Sequence, residues 1–251
     1  MATWGAHFRI AENLLKKNFN LNRKSFAIGN IGPDCGLPNK NWSVFTPPKD
    51  VSHFAVSKTS NFLEVKSDSF ILNDIKFFLK YLVGYNKDSF QSKGSFLLGY
   101  FIHLITDNLW NYHIMRPLKE NYSPKFENNQ NFIWEVKKDW YDLDKIYITE
   151  KKDSLFWTDF LYAEYKEDFI DLLPREGIHR QLEFIKQFYQ ISNEEYSKIS
   201  AKEFIYMKKE KMDIFIQDSC SVILDVLTQI FEGNFQFKGK ISVLEGMFVW
   251  G

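Results

Sequence analysis

Hydrophobic residues recur at the spacing of an α-helix along most of this 251-residue chain, and strand-like alternation is nearly absent. The first such segment, from Trp4 to Leu15, predicts an amphipathic helix that follows a capping Thr3. Two further patterns predict helices over 71–82 and from 95 to about 113, the latter ending before Pro117. The apolar pattern therefore indicates a helical protein from its first residues onward.

Weaker helical patterns cover 132–146 and 158–172, and a clearer one covers 174–190. The last predicted helix begins at Ser200, with a glutamate three residues later as in a capping box, and continues to Gly233. The segment 25–48 is rich in Gly, Pro and Asn and is predicted to be a long, functional loop. We expect one all-α domain over residues 1–251, with the tail after 233 unassigned.

The composition excludes some partners of the protein but does not identify its function. Lys+Arg and Asp+Glu number 32 each, so no net charge attracts nucleic acid or an anionic membrane, and there is no strong nucleic-acid signal. Cys35 and Cys220 are far apart, which predicts two free thiols. The N-terminus lacks a signal-peptide pattern, and the most apolar window, 95–106, is too short to span a bilayer. We expect a soluble cytoplasmic protein whose oligomeric state is unknown.

The histidines give the first indication of chemistry. His103 and Asp107 are four residues apart on the third predicted helix, so they share a face and can ligate one metal ion. His103 also lies in a very apolar stretch, where an ionisable group is costly unless it is paired or coordinated. His113 lies six residues beyond Asp107, about 9 Å along the helix and roughly 120° around it. A ligand in that position would address a neighbouring metal ion.

A second pair with the same spacing, His179 and Glu183, could complete the site that His113 begins. Either pair alone is also typical of surface pairing or of a hydrogen-bonded core histidine. The spacing therefore leaves both interpretations open.

Four segments in order resemble the zinc-dependent phospholipase C family, which shares its fold with single-strand nucleases of the S1/P1 type. They are TWGAHFRIAENLL, FAIGNIGPDCG, DVSHF and GSFLLGYFIHLITDNLWNYH. The resemblance implies a phospholipase C/P1 nuclease-like fold. It also implies a zinc centre, with two or three ions per chain, that hydrolyses a phosphate ester.

The resemblance implies particular ligands for each zinc ion. Asp34, His53, His103 and Asp107 resemble the ligands of the first ion, and Asp34 resembles the residue that helps to activate the attacking water. The second ion would be held by His113, His179 and Glu183.

His7 would hold a third zinc ion together with Asp107. Secreted members complete that third site with the free amine of an N-terminal tryptophan. Here Trp4 follows Met1-Ala2-Thr3 and has no free amine, so the third ion depends on whether Met1 is removed.

The expected function is zinc-dependent hydrolysis of a lipid or small-molecule phosphodiester, with transient contact to a membrane surface as a possibility. Zinc supplies the Lewis acidity for this reaction, and ligands without thiolate suit it. One alternative is a single-strand nuclease or nucleotide phosphodiesterase, which requires a basic groove and aromatic stacking platforms. Another is a structural zinc protein without catalysis, but a second site with three ligands is open to substrate, which favours an enzyme.

Overall fold

The computed structural model describes residues 1–17, 19–40, 43–56, 71–86 and 90–246. Its α-helices are α1 (Trp4–Leu15), α2 (Arg23–Gly29), α3 (Lys49–Ser52), α4 (Asp74–Tyr81), α5 (Ser92–Trp110), α6 (Arg116–Asn121), α7 (Ser123–Asn128), α8 (Phe132–Glu150), α9 (Leu155–Thr158), α10 (Arg175–Phe188), α11 (Asn193–Ser200) and α12 (Lys209–Phe231). Two-residue strands, β1 (Leu37–Pro38) and β2 (Phe45–Thr46), pair antiparallel. The predicted all-α fold is confirmed.

The N-terminal helix begins where the sequence predicts. The Thr3 side chain accepts a hydrogen bond from the Ala6 N–H at 3.3 Å, which satisfies one of the unpaired donors at the start of α1. Helix α1 packs against α8 and α12 and buries His7 and Phe8 completely or nearly so. The His7 imidazole therefore lies in the protein interior, on a mainly apolar face of α1.

Helices α2 and α5 approach so closely that their backbones touch. A Cβ atom on Gly29 would lie 2.0 Å from the Phe96 carbonyl oxygen, and one on Gly99 would lie 2.4 Å from the Phe26 carbonyl oxygen. Only glycine fits at both positions, because any side chain would overlap the opposing backbone. This contact brings Asn30, which follows α2, against the middle of α5.

Helix α5 is buried on all sides from Gly94 to Trp110, as its sequence predicts. Its end differs from the prediction, because the chain continues through a π-helical turn, Asn111–Met115, into α6. Pro117 is the second residue of α6, which directly follows this π-helical turn. Proline therefore does not stop the chain from remaining helical at this point.

Three other sequence predictions are wrong in detail. The expected loop over 25–48 contains most of α2, a 3₁₀ turn at Gly32–Asp34 and both short strands. Over 158–172 the structure forms only the last residue of α9 and a 3₁₀ turn at Phe160–Tyr162. The last helix begins at Lys209 and not at Ser200. A different Ser-x-x-Glu sequence, which begins at Ser192, caps a helix, because the Ser192 side chain accepts a hydrogen bond from the Glu195 N–H at the start of α11.

The C-terminal segment is fixed to the core through a buried carboxylate. Asp74, at the start of α4, is completely buried and accepts hydrogen bonds from the Val243 N–H at 2.8 Å and from the Asn108 side chain at 2.9 Å. The Ser242 hydroxyl donates to the same carboxylate. Asp74 thus connects 241–246 to α5.

Helix α12 is long and apolar enough to cross a membrane by length and composition alone, and 44% of its apolar window is buried inside the fold. A core helix passes the same test. Cys35 and Cys220 are both buried free thiols, as predicted.

Candidate metal centre

The structure brings five of the sequence-predicted ligands together. His7, His103 and Asp107 form one group of donor atoms, and Asp34, His53 and His103 form another, each within 4.8 Å of one another. His103 belongs to both groups. The residues come from α1, the 3₁₀ turn, the residue after α3, and α5.

The donor atoms of these residues converge in the interior. His103 Nε2 lies 3.3 Å from Asp107 Oδ2, and His7 Nε2 lies 3.5 Å from Asp107 Oδ1. His53 Nε2 lies 3.4 Å from Asp34 Oδ1. The His7 and His103 rings stack in parallel with centroids 3.8 Å apart. Asp107 is therefore the carboxylate that the two stacked imidazoles face.

Backbone carbonyl groups orient two of the imidazoles. His103 Nδ1 lies 2.8 Å from the Asn30 carbonyl oxygen, and His53 Nδ1 lies 3.0 Å from the Lys49 carbonyl oxygen. Because a carbonyl oxygen only accepts, each Nδ1 carries the hydrogen, and in the neutral ring Nε2 keeps its lone pair. Both lone pairs then point toward the carboxylates, as in zinc-binding histidines.

Hydrogen bonds from the first turn of the chain orient the carboxylates. The Trp4 indole Nε1–H donates to Asp34 Oδ2 at 2.8 Å, and the Ala2 N–H donates to Asp107 Oδ1 at 2.6 Å. The Trp4 ring is itself held in contact with three other aromatic rings: Tyr141, Phe184 and Phe188. Trp4 thus supports Asp34 with its side chain, a role different from that of an N-terminal amine.

Burial and mutual charge perturb the protonation of the cluster. Burial, followed by the charge of His103, lowers the pKa of His7 to about 4. Burial opposes ionisation of Asp107, but the charges of His103 and of the N-terminal amine, with the contacts to His103 and His7, together hold the pKa of Asp107 well below its usual range. Burial lowers the pKa of His103, but the charges of Asp107 and Asp34 and the bond to the Asn30 carbonyl oxygen together raise it above its usual value. A metal ion would displace the proton that His103 otherwise holds.

The residues present fit a zinc ion. Several completely buried donor atoms have no hydrogen-bond partner among the described residues: His7 Nδ1 and Nε2, His53 Nε2, His103 Nε2 and Asp107 Oδ2. Buried polar atoms without partners are rare in folded proteins and require an explanation such as a bound ion. Imidazole and carboxylate ligands without thiolate match the preferences of zinc.

His179 and Glu183 are not part of this cluster. Helix α10 buries Gly177, Ile178 and Leu182, so the face that carries His179 and Glu183 is exposed. Glu183 pairs with Lys186 at 3.0 Å instead. The four-residue spacing places the two side chains on one face of the helix, but it does not determine whether that face is buried or exposed to solvent.

His113 also lies apart from the five residues. It is exposed on the π-helical turn and lines a separate cavity of about 490 Å³ between α5 and α12, with Asp218 nearby. Burial lowers the pKa of His113, and the charge of Asp218 acts in the opposite direction. A zinc site made of His113, His179 and Glu183 stays a prediction.

The model of the zinc-dependent phospholipase C family matches residues 6–171, and the chain belongs to this family. The matched range contains His7, Asp34, His53, His103 and Asp107, and it ends before His179. No curated protein and no solved structure matches the chain. The family and the helical fold agree with the resemblance in the sequence.

Sequence reasoning missed three residues beside the cluster: Asn30, Lys49 and Lys137. Lys49 lies four residues before His53, and this spacing could have drawn attention to it. Asn30 acts through its backbone, so its side-chain identity carried no signal. Lys137 is far from every ligand in sequence, and only the packing of α8 onto α1 brings it near.

Proposed function

We propose that this chain is a zinc-dependent phosphodiester hydrolase of the phospholipase C type, with two zinc ions held by His7, Asp34, His53, His103 and Asp107. The observation that carries the proposal is the set of five converging donor residues, in which Asp107 presents Oδ1 to His7 and Oδ2 to His103 and can therefore bridge two ions. Two metal ions held by shared or adjacent ligands are typical of phosphoester hydrolases. Membership of the zinc-dependent phospholipase C family supports the same reaction class.

Zinc, when bound, acts as a Lewis acid toward water and phosphoryl oxygens. Asp34 is the least buried of the five residues, which makes it the one nearest to an arriving substrate. Its Oδ2 accepts the Trp4 hydrogen bond, so its orientation is fixed from outside the cluster. Burial opposes ionisation of Asp34, but the approach of His53 Nε2, 3.4 Å from Oδ1, and the charge of His103 hold the pKa of Asp34 far below the usual range. Asp34 is therefore ionised and positions the attacking water by accepting its hydrogen bond.

The substrate we propose is a phospholipid or another phosphodiester, and the family supports the phospholipid. Among the aromatic residues that a nuclease could use as stacking platforms, Trp134 is exposed, but others are not accessible. Trp110 and Trp140 are completely buried, and Trp42 lies outside the described residues. A cytoplasmic location and transient contact with a membrane surface complete the proposal.

The test combines metal analysis with activity on three substrates. Zinc per chain and hydrolysis of p-nitrophenylphosphorylcholine, bis-p-nitrophenyl phosphate and single-stranded DNA are measured for the wild type and for Asp34→Asn. We expect phosphodiester hydrolysis that falls at least about a hundredfold in the variant. Full zinc occupancy without hydrolysis of any phosphodiester would overturn the catalytic proposal in favour of a structural zinc protein. Hydrolysis of DNA alone would favour the nuclease.

A further inference from the structure

The chain around the start of α1 meets the donor cluster at three points. The Ala2 N–H donates to Asp107 Oδ1 at 2.6 Å, and the Trp4 indole N–H donates to Asp34 Oδ2 at 2.8 Å. His7 Nε2 lies 3.5 Å from the same Asp107 oxygen. The position of this one turn therefore affects both carboxylates of the cluster and one of its imidazoles.

Two buried side chains from later in the chain hold the backbone of the same turn. Gly5 is the second residue of α1, so its N–H has no partner within the helix. It donates to Tyr189 Oη at 2.9 Å and to Asp144 Oδ2 at 3.2 Å, and the Tyr189 hydroxyl donates to Asp144 Oδ2 at 3.0 Å. Both side chains are completely or almost completely buried, so water does not compete for these bonds.

Close packing keeps α1 from moving toward α8 at this point. A Cβ atom on Gly5 would lie 2.3 Å from Asp144 Cγ, so the backbone of α1 rests directly on that side chain. The Tyr189 ring, at the end of α10, also packs against the Phe8 ring of α1, with centroids 6.5 Å apart. Helix α8 and the end of α10 therefore fix the first turn of α1 by hydrogen bonds and by packing.

We propose that Asp144 and Tyr189 are positioning residues of the metal centre, which hold the first turn of α1 in register with the donor carboxylates. The inference rests on the proposed function and extends it to two residues that are not among the donors. Without the Tyr189 hydroxyl, the Gly5 N–H loses its shorter hydrogen bond, and the turn is less firmly fixed relative to Asp34 and Asp107. Supports of this kind, one step removed from the metal, commonly affect its affinity by about 10- to 100-fold.

Tyr189→Phe tests the inference with the smallest change, since it removes one hydroxyl and keeps the ring. We expect the affinity for zinc, measured by competition with a chelator, to fall about tenfold. The visible absorption spectrum of the cobalt-substituted protein should also change, because it depends on the geometry of the ligands around the ion.

Tyr165→Phe is the matched control. Tyr165 is also almost completely buried, and its hydroxyl accepts the Phe169 N–H at 2.8 Å, so the substitution breaks the same kind of bond outside α1. Both variants should have similarly lowered melting temperatures, and only Tyr189→Phe should change the zinc affinity and the cobalt spectrum. Equal zinc affinities and equal spectra in the two variants would overturn the inference and show that Tyr189 stabilises the fold alone.

Two substitutions of Asp144 distinguish its acceptor oxygen from its charge. Asp144→Asn keeps the volume and one acceptor oxygen and should keep zinc affinity within about threefold, whereas Asp144→Ala removes the acceptor and should lower the affinity about tenfold. Equal affinities in these two variants would contradict a positioning role for Asp144. If Asp144→Ala does not fold, the comparison of the two tyrosine variants decides.

Hydrolysis of bis-p-nitrophenyl phosphate by the same samples separates this inference from the proposed function. Zinc affinity that depends on Tyr189, without hydrolysis by the wild type, overturns the function and leaves the positioning role in place. Hydrolysis by the wild type, with a zinc affinity that does not depend on Tyr189, overturns the positioning role and leaves the function in place. A wild type that binds no zinc overturns both.

Discussion

The indole nitrogen of Trp4 lies 2.8 Å from Asp34 Oδ2 and donates a hydrogen bond to it. Helix α1 thus contributes both a donor, His7, and the group that orients the carboxylate of the second donor set. Groups of this kind, which bind a ligand and not the metal, commonly affect metal affinity or activity by about 10- to 100-fold.

We expect Trp4→Phe to lower zinc affinity and kcat/KM by about tenfold or more, because phenylalanine keeps ring contacts and lacks the N–H. Zinc affinity is measured by competition with a chelator. The control is Trp157→Phe, which removes an indole hydrogen bond to the Ile148 carbonyl oxygen and should leave zinc affinity unchanged. Equal affinities in the Trp4 variant and the wild type would show that Asp34 needs no such support.

The position of Asp107 between two imidazoles predicts that the ligands have unequal effects on metal content. His7→Gln and His53→Gln each remove a ligand from one donor group, so each should lose one zinc ion. Asp107→Ala removes the carboxylate whose two oxygens face His7 and His103, and it should lose both ions. Mass spectrometry of the native protein counts the ions, and circular dichroism establishes that the variants are folded. Equal loss in all three variants would indicate a single ion.

The exposed face of α10 provides a test of the predicted His113, His179 and Glu183 site. Because His179 and Glu183 face solvent and Glu183 pairs with Lys186, we expect His179→Gln/Glu183→Gln to keep the zinc content of the wild type. Native mass spectrometry counts the zinc ions bound to this double variant and to the wild type. Loss of an ion in this double variant would mean that α10 rearranges on metal binding and that the family's second site is present.

Asp74 should make stability depend on pH. Burial raises its pKa to about 7, against the hydrogen bonds from Ser242, Val243 and Asn108. As the pH rises from about 4 to 7, the unfolded chain releases this proton before the folded chain does, so the free energy of unfolding falls. The slope from this one group is at most about 1.4 kcal/mol per pH unit, and above pH 7 it vanishes.

The measurement is urea unfolding of the wild type and Asp74→Asn at several pH values between 4 and 8. Asp74→Asn has no carboxyl group to titrate, so its free energy of unfolding should fall less between pH 4 and 7 than that of the wild type. The difference in unfolding free energy between the two proteins should therefore change with pH. A constant difference would show that Asp74 ionises at its ordinary pKa.

Local spacing could predict the helices and the pairing of His103 with Asp107, whereas Asp34, His53 and His7 could be predicted as donors only through the resemblance to the family. Helical period places α1 and α5, and four-residue spacing places His103 beside Asp107. It could not determine which face of α10 is buried, since that depends on packing with distant segments. The predicted cap at Ser200 was wrong for a related reason, because the chain contains two Ser-x-x-Glu sequences whose local patterns are alike. Lys137 comes close enough to interact electrostatically with Asp34 and Asp107 only because α8 packs against α1, and such packing leaves no mark in the spacing of residues.

Every residue of the two donor groups precedes residue 108, whereas α8 and α10, which pack against Trp4, come later in the chain. A ribosome builds the chain from its N-terminus, so the donors exist before either covering helix has been made. During synthesis, Trp4 therefore lacks its contacts with Tyr141, Phe184 and Phe188 until these later helices have been made.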